Sequence, residues 1–197
     1  MYPESIKNLI DSFRFLPGIG EKTAERLTFC MMDLPEEKAE LFVESIQEVR
    51  SLIHPCKQCH TLTENEFCSI CEDPTRENIL CVVEDVKSVF LFEKLGTFHG
   101  QYHVLSGLIS PIDGINPEDI GIKDLIDRIK MASFEEIILA FKSSVEGETT
   151  ALYIKKILEG LNLTVSRLAS GIPMGADMEY VDALTLERAL NDRKKLS

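Results

Sequence analysis

The sequence predicts an α/β protein with small modules attached: a helical N-terminal unit, a four-cysteine knuckle, a parallel sheet with helices on both faces, and a C-terminal helix. Three observations predict it. Apolar residues recur at helical spacing before residue 54, two Cys-x-x-Cys pairs follow eight residues apart, and short apolar runs then alternate with helical stretches.

The first helix is marked by Ile6, Leu9, Ile10 and Phe13, and LPGIG interrupts it with one proline and two glycines. Ala24, Leu27 and Met31 then form a second apolar stripe, so the segment reads as helix, tight hairpin, helix. A third helix is expected from near Pro35, carrying Ala39, Phe42, Ile46, Val49 and Ile53 inward until His54-Pro55 stops it. Gly18 and Gly20 in the hairpin suit backbone angles closed to other residues and a close approach to a ligand. A phosphate placed there meets the unpaired amides and positive dipole end of the second helix. Lys22 and Arg26, four apart, share a face and suit adjacent phosphates of one strand, although Glu21 and Glu25 alternate with them as on a merely solvated face.

Cys56, Cys59, Cys68 and Cys71, in CKQCHTLTENEFCSIC, have the spacing of one tetrahedral zinc site. Four thiolates leave no place for a reactive water, so the expected zinc is structural, one per chain. Disulfides fit poorly, because MYPESIKNLI has neither the basic start nor the apolar core of a secretion signal, which points to the cytoplasm. A redox Cys-x-x-Cys would be single and set between a strand and a helix. Cys30 and Cys81, in apolar surroundings, are expected in the core.

Beyond the knuckle, ILCVV (79–83) reads as a buried parallel strand ending at Glu84. A helix through Val89 and Phe92 is broken by Gly96; QYHVL (101–105) is a second strand, and a long loop leads to a helix through Leu125 and Ile129. EIILAF (136–141) is the third strand, followed by a helix containing Leu152, Ile154 and Ile157, then LTVSRLA (163–169), a glycine-rich turn, and a last helix from about Ala183. Ligand crevices of such sheets lie at the carboxyl ends of the strands, where Glu84 should meet KSSVEGE (142–148). A carboxylate at that position also suits capping of the next helix.

Composition narrows the functions. No apolar run approaches the ~20 residues that span a bilayer, and the formal charge of −12 argues against indiscriminate nucleic-acid binding. DNA contact would have to be local.

LPGIGEKTAERL, the cysteine knuckle, CVVE, YHVLSGLISPIDGINPEDI, ILAFKSSVEGETTALYI and GIPMGADMEYVDALTLERAL, in that order, resemble the RecR family of bacterial recombination mediators along nearly the whole chain. The resemblance implies a helix-hairpin-helix domain (1–54), a four-cysteine zinc finger (55–72), a Toprim domain (78–172) and a C-terminal segment and helix (173–197). It also implies DNA binding, partnership with RecO and in many cases RecF, self-association into a ring, dimer or tetramer, and loading of recombinase onto single-stranded gaps. It implies no catalytic activity. Glu84 is the residue expected to face a protein partner.

Toprim folds elsewhere perform Mg²⁺-dependent phosphoryl transfer, which needs a glutamate after the first strand and an Asp-x-Asp pair after the third. Glu84 matches the first requirement, whereas Phe141, Lys142, Ser143 and Ser144 stand where the pair would be. Glu146 and Glu148 come later, at a helix start that favours acids through its dipole. A non-enzymatic mediator is therefore expected; the alternatives are a Toprim phosphoryl-transfer enzyme, or a scaffold that meets DNA only through RecO. Glu21, Glu25, Ser88, Lys142 and Ser143 depart from the family's usual residues.

Overall fold

A computed structural model describes residues 2–169 and 171–193. It divides into two compact units, Met1–Ile53 and His54–Ser197.

The first unit holds helices α1 (Glu4–Arg14), α2 (Glu21–Met32) and α3 (Glu36–Leu52), close to the bounds expected. α1 and α2 pack across the hairpin, with Ile10, Ala24 and Thr28 buried between them. The helix forms, but the burial expected of its stripe does not follow: Phe42, Ile46 and Val49 are 44, 48 and 62% exposed, Ala39 and Ile53 are only half-buried, and no residue of the helix is buried. Cys30, expected in the core, is exposed as well. The reason is size. Three short helices enclose little volume, and the apolar stripes of α1, α2 and α3 instead line an open cleft of about 470 Å³ through Leu9, Phe13, Leu16, Met31, Phe42 and Ile46.

The second unit begins with the knuckle, in which β1 (His54–Pro55) pairs antiparallel with β2 (Leu62–Thr63) ahead of the single turn α4 (Ser69–Glu72). The elements β3 (Ile79–Val83), α5 (Val86–Leu95), β4 (Gln101–Val104), α6 (Ile122–Met131), β5 (Glu136–Ala140), α7 (Val145–Leu158), β6 (Thr164–Arg167) and α8 (Ala183–Asn191) follow, within about two residues of expectation. The sheet order is β4-β3-β5-β6, with every pair parallel.

Strand pleating sorts the core into two layers. Leu80, Val82, Ile137 and Leu139 pack with Leu125, Ile129, Ile154 and Leu158, which places α6 and α7 on one face. Cys81, Val83, Tyr102 and Val104 pack with Val89 of α5 on the other face, and Cys56, Cys59, Cys68 and Ile70 of the knuckle join this layer. Cys81 is buried as expected. Gly96 ends α5 in the left-handed conformation (φ 64°) that glycine adopts without penalty. The chain leaves β3 for β4 on one side and returns to β5 on the other, so the topological switch point lies between the carboxyl ends of β3 and β5.

Candidate functional site

Three places carry chemistry. In the hairpin, Gly18 has φ 81°, a backbone state that other residues rarely adopt, and a Cβ added there would meet nothing within 4 Å. Gly20 differs: at φ −84° and ψ 169° it is extended backbone open to any residue, and it serves as the N-cap of α2. Having no side chain, it satisfies none of the first amides of α2, which stay available to an acceptor. Lys22 and Arg26 are exposed on the following turns, and neither makes an ion pair among the described residues, even with Glu21 or Glu25 beside them. A phosphate at the hairpin would therefore meet free amides and two unpaired cations.

In the knuckle, one sulfur from each of Cys56, Cys59, Cys68 and Cys71 lies within 4.8 Å of the others. Cys56 and Cys59 are fully buried. The hydrogen bond with Cys68 pushes Cys59 up to about 11, and Cys71 is pushed up by Cys59 and Cys68, while Cys68 is held at about 2 by Cys59 and Cys71. Sulfurs this close cannot all be thiolates unless a cation sits among them, and four soft donors at this spacing suit Zn²⁺. His60 turns away from the cluster, its Nδ1 donating to the carbonyl of Val104 over 3.2 Å.

At the switch point, the backbone N–H of Lys142 donates to Glu84 Oε2 over 3.4 Å, so Glu84 and the KSSVEGE segment meet as expected. Glu84 does not cap the next helix. Asp85 does, accepting from the N–H of Lys87 over 2.9 Å. Ser144 caps α7 in the same way, accepting from the N–H of Gly147. Glu146 sits in that first turn, where the dipole accounts for it. Glu148 does not stay free: Arg167 of β6 pairs with it at 2.8 Å and Arg188 of α8 at 3.4 Å.

Sequence reasoning missed several of these residues. Asp85 was detectable as an aspartate immediately before an apolar helix. Gly147 was less visible: a Cβ there would lie 2.1 Å from the carbonyl oxygen of Lys142, so only glycine lets α7 start this close to the end of β5. Glu93 forms a network with Arg76, by paired bonds of 2.8 and 2.6 Å, and with the Tyr102 hydroxyl at 2.9 Å. No local pattern marks those three as neighbours.

Comparison with known proteins covers the same ground. Residues 6–50 match the RecR helix-hairpin-helix model, 53–73 the RecR zinc finger domain with four cysteine ligands, 78–169 the Toprim domain and 171–194 the RecR C-terminal model. A recombination protein RecR from Natranaerobius thermophilus is 44% identical over 196 residues, covering 99% of this chain and 98% of that one. Those from Lactobacillus johnsonii and Staphylococcus haemolyticus are 47% and 46% identical, each alignment covering 99% of both chains. The zinc-finger match and the clustered sulfurs together give the chain one structural zinc. Among the described residues no helix is long and apolar enough to cross a membrane.

Proposed function

This chain belongs to the RecR family of recombination proteins, and on that premise we propose that it is a DNA-binding mediator of recombinational repair that works without catalysing a reaction. The observation that carries the reading is a likeness to RecR proteins of 44–47% identity from end to end. In this reading DNA is held at the hairpin by the amides around Gly18 and Gly20 and by Lys22 and Arg26. Such contacts grip phosphates and carry no base readout, which suits a protein that must act at gaps of any sequence.

Self-association supplies what one chain lacks. Two cations against a net charge of −12 make a weak site, and several hairpins presented to one DNA multiply contacts through effective concentration. The open apolar cleft of the N-terminal unit supports this reading, since monomeric surfaces rarely leave such stripes uncovered. The ring, dimer or tetramer so formed would work with RecO, and with RecF where present, to load recombinase onto single-stranded gaps in the cytoplasm. Glu84 would face that partner from the sheet's crevice.

Lys142 and Ser143 stand where Toprim enzymes hold their acidic pair, so a divalent metal at Glu84 would lack its other ligands. DNA binding by the purified protein across a salt series, with and without RecO, tests the proposal. Binding by the protein alone, steepening with protein concentration and strengthened by RecO, supports it. Binding seen only when RecO is present would favour the scaffold instead.

A further inference from the structure

Arg128 of α6 is 9% exposed and has no acidic partner. The ion pairs among the described residues are made by Arg14, Lys57, Arg76, Arg167 and Arg188. Arg128 Nη1 donates to the carbonyl of Tyr102 over 2.5 Å and reaches His103 Nδ1 at 3.5 Å, Nη2 donates to Gln101 Oε1 over 2.9 Å, and Nε has no partner. The Phe134 ring lies 5.8 Å from its guanidinium carbon. All these neighbours are neutral. His103 is itself held uncharged, pushed down to about 3 by burial and then by Arg128. A guanidinium removed from water among neutral groups is costly unless a negative charge offsets it.

The knuckle supplies that charge. Four thiolates on one Zn²⁺ leave two negative charges over. Arg128 adjoins the knuckle: the His103 ring that it reaches lies 4.9 Å from the ring of His60, the residue after Cys59. Arg128 lines one open cleft with Lys57, Gln58 and His60 of the knuckle; Asp124 and Asp127 line it too but are exposed and form no ion pair with Arg128.

Arg128 and the knuckle also share a task. β4 is an edge strand, and edges left unpaired invite other chains. Here the Val104 N–H donates to the carbonyl of Cys59 over 2.8 Å, the Val104 carbonyl accepts from His60, and the Tyr102 carbonyl accepts from Arg128. Metal loop and arginine cover one edge between them. We propose that Arg128 is the counter-cation of the zinc tetrathiolate, and that this pairing couples metal binding to the cover of the β4 edge.

Zinc competition against a chromophoric chelator, run on the full-length protein with folding checked by circular dichroism, tests it. Arg128→Met should weaken zinc binding about 10–100-fold, the range seen when a group supporting metal ligands is lost. Arg128→Lys keeps a cation while losing the fork, and should retain more zinc affinity than Arg128→Met. In the Co²⁺-substituted protein the sulfur-to-metal charge-transfer band should move to longer wavelength in Arg128→Met, because electrons on the sulfurs lose a nearby positive charge. A folded Arg128→Met with wild-type zinc affinity and an unmoved band overturns the proposal. Should Arg128→Met fail to fold, Arg128→Lys decides: retained affinity supports charge pairing, and a loss of about tenfold or more, as when a hydrogen-bonded supporting group is removed, assigns the effect to the fork of hydrogen bonds and overturns it.

Discussion

The backbone N–H of Lys142 reaches Glu84 Oε2 across the switch point between β3 and β5, where Val83 and Ala140 stand in register. One carboxylate thus lies at the crevice with an amide rather than a second acid opposite it. Glu84→Ala should leave the melting temperature within a degree or two, since substitutions at half-exposed positions outside tight networks stay near ±0.5 kcal/mol. It should weaken RecO binding while DNA binding by the protein alone persists. Plasmid and primed-template assays with Mg²⁺ or Mn²⁺ should show no turnover; activity that survives purification and vanishes in Glu84→Ala would refute the non-catalytic reading.

The zinc should be structural and felt beyond the knuckle, because Cys56, Cys59 and Cys68 share a core layer with Tyr102 and Val104. Cys68→Ser should release metal and lower the melting temperature by roughly 6–12 °C, the scale of a loss of about 3 kcal/mol in a chain of this size. Elemental analysis and thermal melts check it. A metal-free wild type, or a variant melting as wild type does, contradicts it.

Asp85 caps α5 through the N–H of Lys87. Asp85→Ala should cost about 1 kcal/mol, or roughly 2–4 °C in melting temperature. Asp85→Asn should recover most of the loss.

Glu93 should give stability a particular acid dependence. Its carboxyl is held below the ordinary 4.5, first by the hydrogen bond from Arg76 and also by that from Tyr102. A depressed folded-state value contributes stability above the unfolded value and loses it as pH falls through the folded one. Wild type should therefore exceed Glu93→Gln by about 2 kcal/mol at neutral pH, and the gap should close on acidification below about pH 4.5. Denaturant titrations at several pH values measure it. A gap that is independent of pH would show that packing, rather than charge, sets the difference.

Much of this was legible in the sequence because the signals were local. A continuous apolar run such as ILCVV has few fates other than a buried parallel strand, and Cys-x-x-Cys spacing encodes its own geometry. α3 shows the limit. Periodicity at Phe42, Ile46 and Val49 marks a face to be covered without saying which chain covers it, and among the described residues of this unit nothing does. Either Glu84 or Asp85 suits a helix cap at a strand end, and only the register of the turn decides that Asp85 caps. In the sequence Arg128 is one cation among others on an amphipathic helix, and its burial depends on residues more than twenty positions away.

If Lys22 and Arg26 hold DNA through its phosphates, the salt dependence of binding must change when they are removed. Fluorescence anisotropy of labelled DNA across a salt series, with light scattering to fix the oligomeric state, measures it. Lys22→Ala with Arg26→Ala should weaken binding to all sequences alike and flatten the log-log salt slope by roughly 2 for each hairpin engaged, as expected when about two phosphate contacts are lost. A double variant that stays folded, assembles normally and binds with wild-type affinity and slope would show that the hairpin is not the DNA site.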